Sequence, residues 1–172
     1  MRSPQTDAAQ LHPKQLNARI SQADSSAELL NLFSAHVAMV DRLHIANLWN
    51  KLGKQRDASE PRQWQQVQQL LRCTLAVIGL CEPRQLSNIA HGVAKCGLNT
   101  DETDALYAAV AEAAVRGGLS GFTLQDLANT AWAFATANVH QPLLLTECTR
   151  FLTLHLSHDP ANLPTDNLTQ LH

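Results

Sequence analysis

Apolar residues along this chain recur at the three- and four-residue spacing of helices. Leu29, Leu30, Phe33, Val37 and Val40 predict a helix over 26–40. Asp24, Ser25 and Ser26 offer N-caps for it, with Glu28 in the first turn. A second helix follows at once, capped by Asp41 and stopped by Gly53. Matching starts come at Glu82-Pro83 and at Thr123, where Thr123-x-x-Asp126 resembles a capping box. Gly97 and Asn138 are the matching stops. Further helices lie between these. Ser59-Glu60-Pro61 starts one that carries Trp64, Val67, Leu70, Leu71, Leu75 and Ile78 and ends at Gly79. Thr100 starts another, with Leu106, Val110, Ala114 and Val115, broken by Gly117-Gly118. Pro142 starts a third, with Leu144, Leu145, Cys148, Phe151, Leu152 and Leu156, ending near Asp159-Pro160. No stretch alternates with period two for long enough to make a strand.

The starts are evenly spaced. Ile45, Leu86, Leu127 and Leu168 recur at a constant interval of 41 residues. Asn47, Asn88, Asn129 and Gln170 follow them two residues on, and Val40, Cys81, Phe122 and Leu163 precede them by five. A period of this length means one supersecondary unit stacked on copies of itself. The predicted fold is therefore all-α: an α-solenoid of stacked helical hairpins with a period of about 41 residues, in which each hairpin buries its apolar face against its neighbours. The array is expected over 25–172, as about three repeats and a truncated fourth. Leu168 opens a unit that is not finished at His172, which points to a parent protein with more repeats. Residues 1–24 are expected to be a disordered leader. Their Arg2, Lys14 and Arg19 against Asp7 leave a degraded organelle transit peptide as the alternative.

Composition narrows the picture. Apolar residues make up 45% of the 172 and aromatics only 5%, so the core is expected to be Leu, Ala and Val on helices. A net charge of −2 gives no general attraction to polyanions or anionic membranes. No run is long and apolar enough to cross a bilayer. Cys73, Cys81, Cys96 and Cys148 form no Cys-x-x-Cys pair and fit no zinc spacing, which predicts reduced thiols and no cofactor.

The third copy of the unit reads Leu127-Ala128-Asn129-Thr130-Ala131-Trp132-Ala133-Phe134-Ala135. It resembles the core motif of the octotricopeptide-repeat family, Leu-Ala-Asn-x-x-Trp-Ala-x-Ala. Leu86-Ser87-Asn88-Ile89-Ala90-His91 is a weaker copy with His91 in place of the Trp, and Ile45-Ala46-Asn47-Leu48-Trp49 is weaker still. Pro61-Arg62-Gln63-Trp64 is similar to the start of the other helix of that repeat. The resemblance covers roughly residues 20–172, with a period slightly longer than the family's. It implies an organelle RNA-binding factor, in chloroplast or mitochondrion, that acts in transcript stability, processing or translation, as the related FAST-kinase-like proteins do.

A helical wheel started at Leu127 places Leu124, Thr130, Ala131, Phe134 and Ala135 in an apolar sector and Gln125, Asn129 and Thr136 opposite, flanked by Asp126, Trp132 and Ala133. One repeat earlier the polar side is Arg84, Gln85, Asn88, His91 and Lys95; two repeats earlier it is His44, Asn47, Asn50, Lys51 and Lys54. Amides that pair with base edges, planar rings that stack and lysines that meet phosphate suit single-stranded RNA. His44, Gln85 and Asp126 vary between copies, as do Lys54, Lys95 and Thr136, and so are the candidates for specificity. Each feature also has a plainer reading. The recurring Asn can tie one hairpin to the next, the variable positions can be a solvated helix face, and Trp49 and Trp132 can pack at repeat joints. His155 and His158 are one turn apart but have no third ligand at a suitable spacing, which favours a surface pair over a metal site. No nucleophile elbow or phosphate loop is present, so an enzyme is not expected. The rival to RNA binding is a protein-interaction scaffold that uses the same face.

Overall fold

The caps anticipated from sequence are the points where the chain turns. The computed structural model of the chain describes residues 11–55 and 63–158, the last four of them as backbone alone. The described residues form eight α-helices: α1 Pro13–Gln22, α2 Ser26–Ala35, α3 Arg42–Leu52, α4 Trp64–Val77, α5 Pro83–Lys95, α6 Asp101–Arg116, α7 Leu124–Thr136 and α8 Pro142–His158. Short 3-10 turns follow α2 (Val37–Met39) and α4 (Ile78–Leu80). No strand occurs among the described residues. The protein is all-α.

Contacts sort the helices into two rows. In one, α1 packs on α3, α3 on α5 and α5 on α7; in the other, α2 packs on α4, α4 on α6 and α6 on α8. One contiguous apolar cluster fills the space between them, with Leu29, Leu30, Phe33, Leu48, Leu70, Leu71, Ile89, Val93, Leu106 and Val110 wholly buried. Each such side chain contributes about 1.5–3 kcal/mol relative to exposure. The rows are stitched by buried polar groups. Trp49 Nε1–H donates to Thr74 Oγ1 at 2.8 Å, joining α3 to α4. The Ser87 hydroxyl donates to the Asp126 carbonyl at 3.1 Å, joining α5 to α7.

Helix α1 departs from the expected disordered leader. Pro13 occupies its first turn and His12 caps it, while Leu16, Ile20 and Ala23 are buried. Two apolar residues on a ten-residue polar helix are too faint a periodicity to read, and an isolated helix so short is unstable in water. Packing on α3 supplies what propensity lacks. Residues 1–10 lie outside the described residues, as do the Ser59-Glu60-Pro61 start and the positions Leu163, Leu168 and Gln170.

Other boundaries shift by a few residues. The helix expected over 26–40 stops at Ala35, and Val37, placed in its apolar stripe, is 36% exposed. Gly97 (φ 66°) and Asn138 (φ 55°) do end their helices in the left-handed conformation that favours these residues. Gly53 does not, since its φ is −64°. It is glycine for a different reason: a β-carbon there would lie 2.9 Å from the Gly92 Cα of α5. Gly117 caps α6, and Gly118 (φ 59°) turns the chain after it, as a helix stop requires.

Candidate nucleic-acid interface

The candidate residues all lie on the row α1–α3–α5–α7, but they divide into two groups. His44, Gln85 and Asp126 are not surface readers. Each is the third residue of its helix, 1%, 8% and 7% exposed respectively, and closes a cap. His44 Nδ1 lies 2.6 Å from Asp41 Oδ1, and its Nε2–H donates to the Pro13 carbonyl at 2.9 Å, which pins α1 to α3. Gln85 Oε1 accepts from the Glu82 backbone N–H at 3.0 Å. Asp126 Oδ2 accepts from the Thr123 N–H at 3.0 Å and from its hydroxyl at 2.7 Å. These three positions differ in capping chemistry: Gln85 and Asp126 supply acceptors to backbone N–H groups at their helix starts, while the His44 ring closes on the Asp41 carboxylate. The signal was present in sequence as Asp41-x-x-His44, Glu82-x-x-Gln85 and Thr123-x-x-Asp126.

The remaining candidates are exposed or half-buried. Asn47 donates to Asn17 Oδ1 and to Ser21 Oγ, both at 2.9 Å, and so ties α3 to α1. Lys51 Nζ donates to the Ser21 carbonyl at 2.8 Å near the end of α1, where a cation meets the negative pole of the helix. In α7, Gln125 donates to Asn129 Oδ1 at 2.9 Å within the same helix. The side chains of Asn88 and Asn50 make no hydrogen bond with any described residue. Arg84 and Thr136 are exposed, and Arg84 has no ion pair among the described residues.

Lys54, His91, Lys95 and Trp132 gather near the C-terminal ends of α3, α5 and α7. The rings of His91 and Trp132 meet edge to face with centroids 5.0 Å apart. Burial lowers the His91 pKa from its ordinary value, and the charges of Lys95 and Lys54 lower it further. Both effects favour the neutral ring. Both lysines are exposed. Trp49, the other indole on this row, is wholly buried and acts in packing.

Ala131 and Ala135 of α7, placed in the apolar sector by the wheel, are exposed, while Ala133 is buried. The buried arc of α7 runs through Asp126, Leu127, Thr130, Ala133 and Phe134, because α5 flanks this helix on one side and the Tyr107 ring of α6 meets Phe134 with centroids 5.1 Å apart. A wheel centred on one apolar residue cannot locate two neighbours.

All four cysteines are free. Burial pushes the Cys81 thiol up to about 11 and the Cys96 thiol up to about 12. Among the described residues no group of three or more His, Cys, Asp or Glu is placed to hold a metal ion, and no helix is long and apolar enough to cross a membrane. The side chains of His155 and His158 lie outside the described residues. No protein-family model, curated protein or solved structure matches the chain.

Proposed function

We propose that the chain is a non-catalytic α-solenoid module that binds single-stranded RNA along the α3–α5–α7 face, as part of a chloroplast or mitochondrial factor acting on transcripts. The observation that carries this reading is the surface order on that face. Half-buried amides recur (Asn47, Asn50, Asn88, Asn129), those of α3 and α5 are followed about a turn or two later by Lys51, Lys54 and Lys95, and the His91–Trp132 ring pair lies beside them. Amides meet base edges, rings stack on bases and lysines neutralise phosphates. The two helix rows, with N-caps at Asp41, Glu82 and Thr123, support a repeat of 41 residues, and the motif of α7 resembles that of the octotricopeptide repeat.

Few cations serve the face, so binding is expected to be weak and steeply salt-dependent. The test is fluorescence anisotropy of a random RNA pool at low salt. Replacing Lys51, Lys54, Arg84 and Lys95 by Glu should abolish binding. A native protein that binds no RNA there, or a variant that binds as well as the native one, refutes the reading.

A second reading, a protein-interaction scaffold, is favoured by one observation: α8 exposes Leu143, Leu145, Leu152 and Leu154. Apolar residues clustered on one helix mark protein contacts more often than nucleic-acid ones. A partner that stays bound through nuclease treatment and high salt would support this reading over the first.

A further inference from the structure

Between α3 and α5 the protein surface opens into a cleft of about 370 Å³, within the range of roughly 300–1,000 Å³ usual for small-ligand sites. Its lining includes Leu43, Ala46, Asn50, Arg84 and Asn88. Asn50 and Asn88 stand out because their amides are half-buried yet make no hydrogen bond with a described residue. The other joints of this row have used theirs. Between α1 and α3, Asn47 is held by Asn17 and Ser21. On α7, Asn129 accepts from Gln125. Asn47, Asn17 and Ser21 line the same cleft and are bonded to one another, so among the described residues of its wall Asn50 and Asn88 keep their carboxamides open, each with a donor beside an acceptor.

The rest of the wall is complementary to a flat aromatic ligand with a negative tail. Leu43, 50% exposed, gives an apolar surface for a ring face. At the mouth, Glu82 is paired with Arg42 at 3.1 Å, and Arg84, the other charged residue of the lining, has no ion pair among the described residues. We infer that this cleft holds one unpaired nucleobase of an RNA strand, with its polar edge hydrogen-bonded by Asn50 and Asn88 and an adjacent phosphate on Arg84. Carboxamides read base edges through this paired donor and acceptor. Asn50 is a residue that the 41-residue register does not single out, since its counterparts in the later copies are His91 and Trp132. The inference rests on the RNA-binding reading and narrows it to one base position.

Two measurements on the full chain test it. Titration of the 15N-labelled protein with each of the four nucleoside 5′-monophosphates should shift the side-chain amide signals of Asn50 and Asn88 for at least one base. Anisotropy with four homopolymeric oligonucleotides should show a preference that falls at least fivefold in Asn50→Ala and in Asn88→Ala, while affinity for the weakest homopolymer stays within twofold. Arg84→Gln should weaken all four about equally. Native protein that binds RNA, with unmoved Asn50 and Asn88 signals and unchanged preference in both variants, overturns the cleft while leaving RNA binding intact. Native protein that binds no RNA overturns both.

Discussion

The backbone of Gly92 in α5 runs against that of Trp49 in α3 so closely that a β-carbon at residue 92 would collide with the Trp49 carbonyl carbon and oxygen. The obstacle is backbone and cannot swing aside. Gly53, one turn after Trp49 at the end of α3, also meets Gly92, so glycines from both helices make this joint.

Gly92→Ala should therefore force α3 and α5 apart. Overpacking of this kind costs about 3 kcal/mol, to be read as a fall in the midpoint of urea unfolding. Gly97→Ala, at a left-handed position with open space around it, should cost less, about 1 kcal/mol. Equal losses at the two sites would contradict the close packing.

The hydrogen bond from His44 to the Pro13 carbonyl gives α1 its anchor. His44→Ala should lower stability by about 2 kcal/mol. It should also raise amide hydrogen exchange across Pro13–Gln22 more than across α5. Deletion of residues 1–24 should be strongly destabilising, since it uncovers the α3 surface now shielded by Leu16 and Ile20. A deletion with unchanged stability would restore the leader to irrelevance.

Asp41 carries a pH dependence. Burial by itself raises its carboxyl pKa, but hydrogen bonds from the His44 and Leu43 backbone N–H groups and the nearby His44 ring outweigh this and hold it below the usual carboxylate value. A depressed pKa means that the unfolded chain binds the proton first. The stabilisation is full above about pH 4 and is lost as pH falls through the lower native value. Asp41→Asn should lower stability near neutrality and flatten the acid limb of a stability-versus-pH curve, so that variant and native protein converge at low pH.

His91 should titrate below the ordinary histidine value in a proton NMR experiment. Burial is the leading cause, so Lys54→Gln with Lys95→Gln should raise its pKa only part of the way. Trp132→Ala, which uncovers the ring, should raise it further. Because the native pKa is the lower one, the contribution of His91 to stability is full above about pH 6.5 and declines as pH falls through the native value. A pKa at or above the ordinary value would contradict the arrangement.

Thiol reactivity offers a simple check on the core. Cys81 and Cys96, pushed up to about 11 and about 12 by burial, should react slowly with a thiol reagent at pH 8. All four cysteines should react at once in denaturant. Fast modification of Cys96 in the native protein would mean that the end of α5 opens readily.

Most helix starts were legible because capping is local. Asp41, Glu82-Pro83, Thr100, Thr123 and Pro142 each declare a helix within a few residues of chain, and the apolar spacing behind them declares its buried side. The same local logic also held the correction to the candidate site: Thr123-x-x-Asp126 reads as a cap, and in the same register His44 and Gln85 are caps too. Periodicity alone marked them as surface readers, because it shows that positions correspond but not whether they face solvent.

Sequence by itself determined the all-α character and most of the helix bounds, since these follow from residue-to-residue spacing and end-group chemistry within single helices. The tertiary structure decided which faces are covered. It folded α1 onto α3, demanded Gly53 and Gly92 at one joint, withdrew His44, Gln85 and Asp126 into caps and left Asn50 and Asn88 open in a cleft. Those outcomes depend on the distance between helices far apart in the chain, which no local spacing encodes.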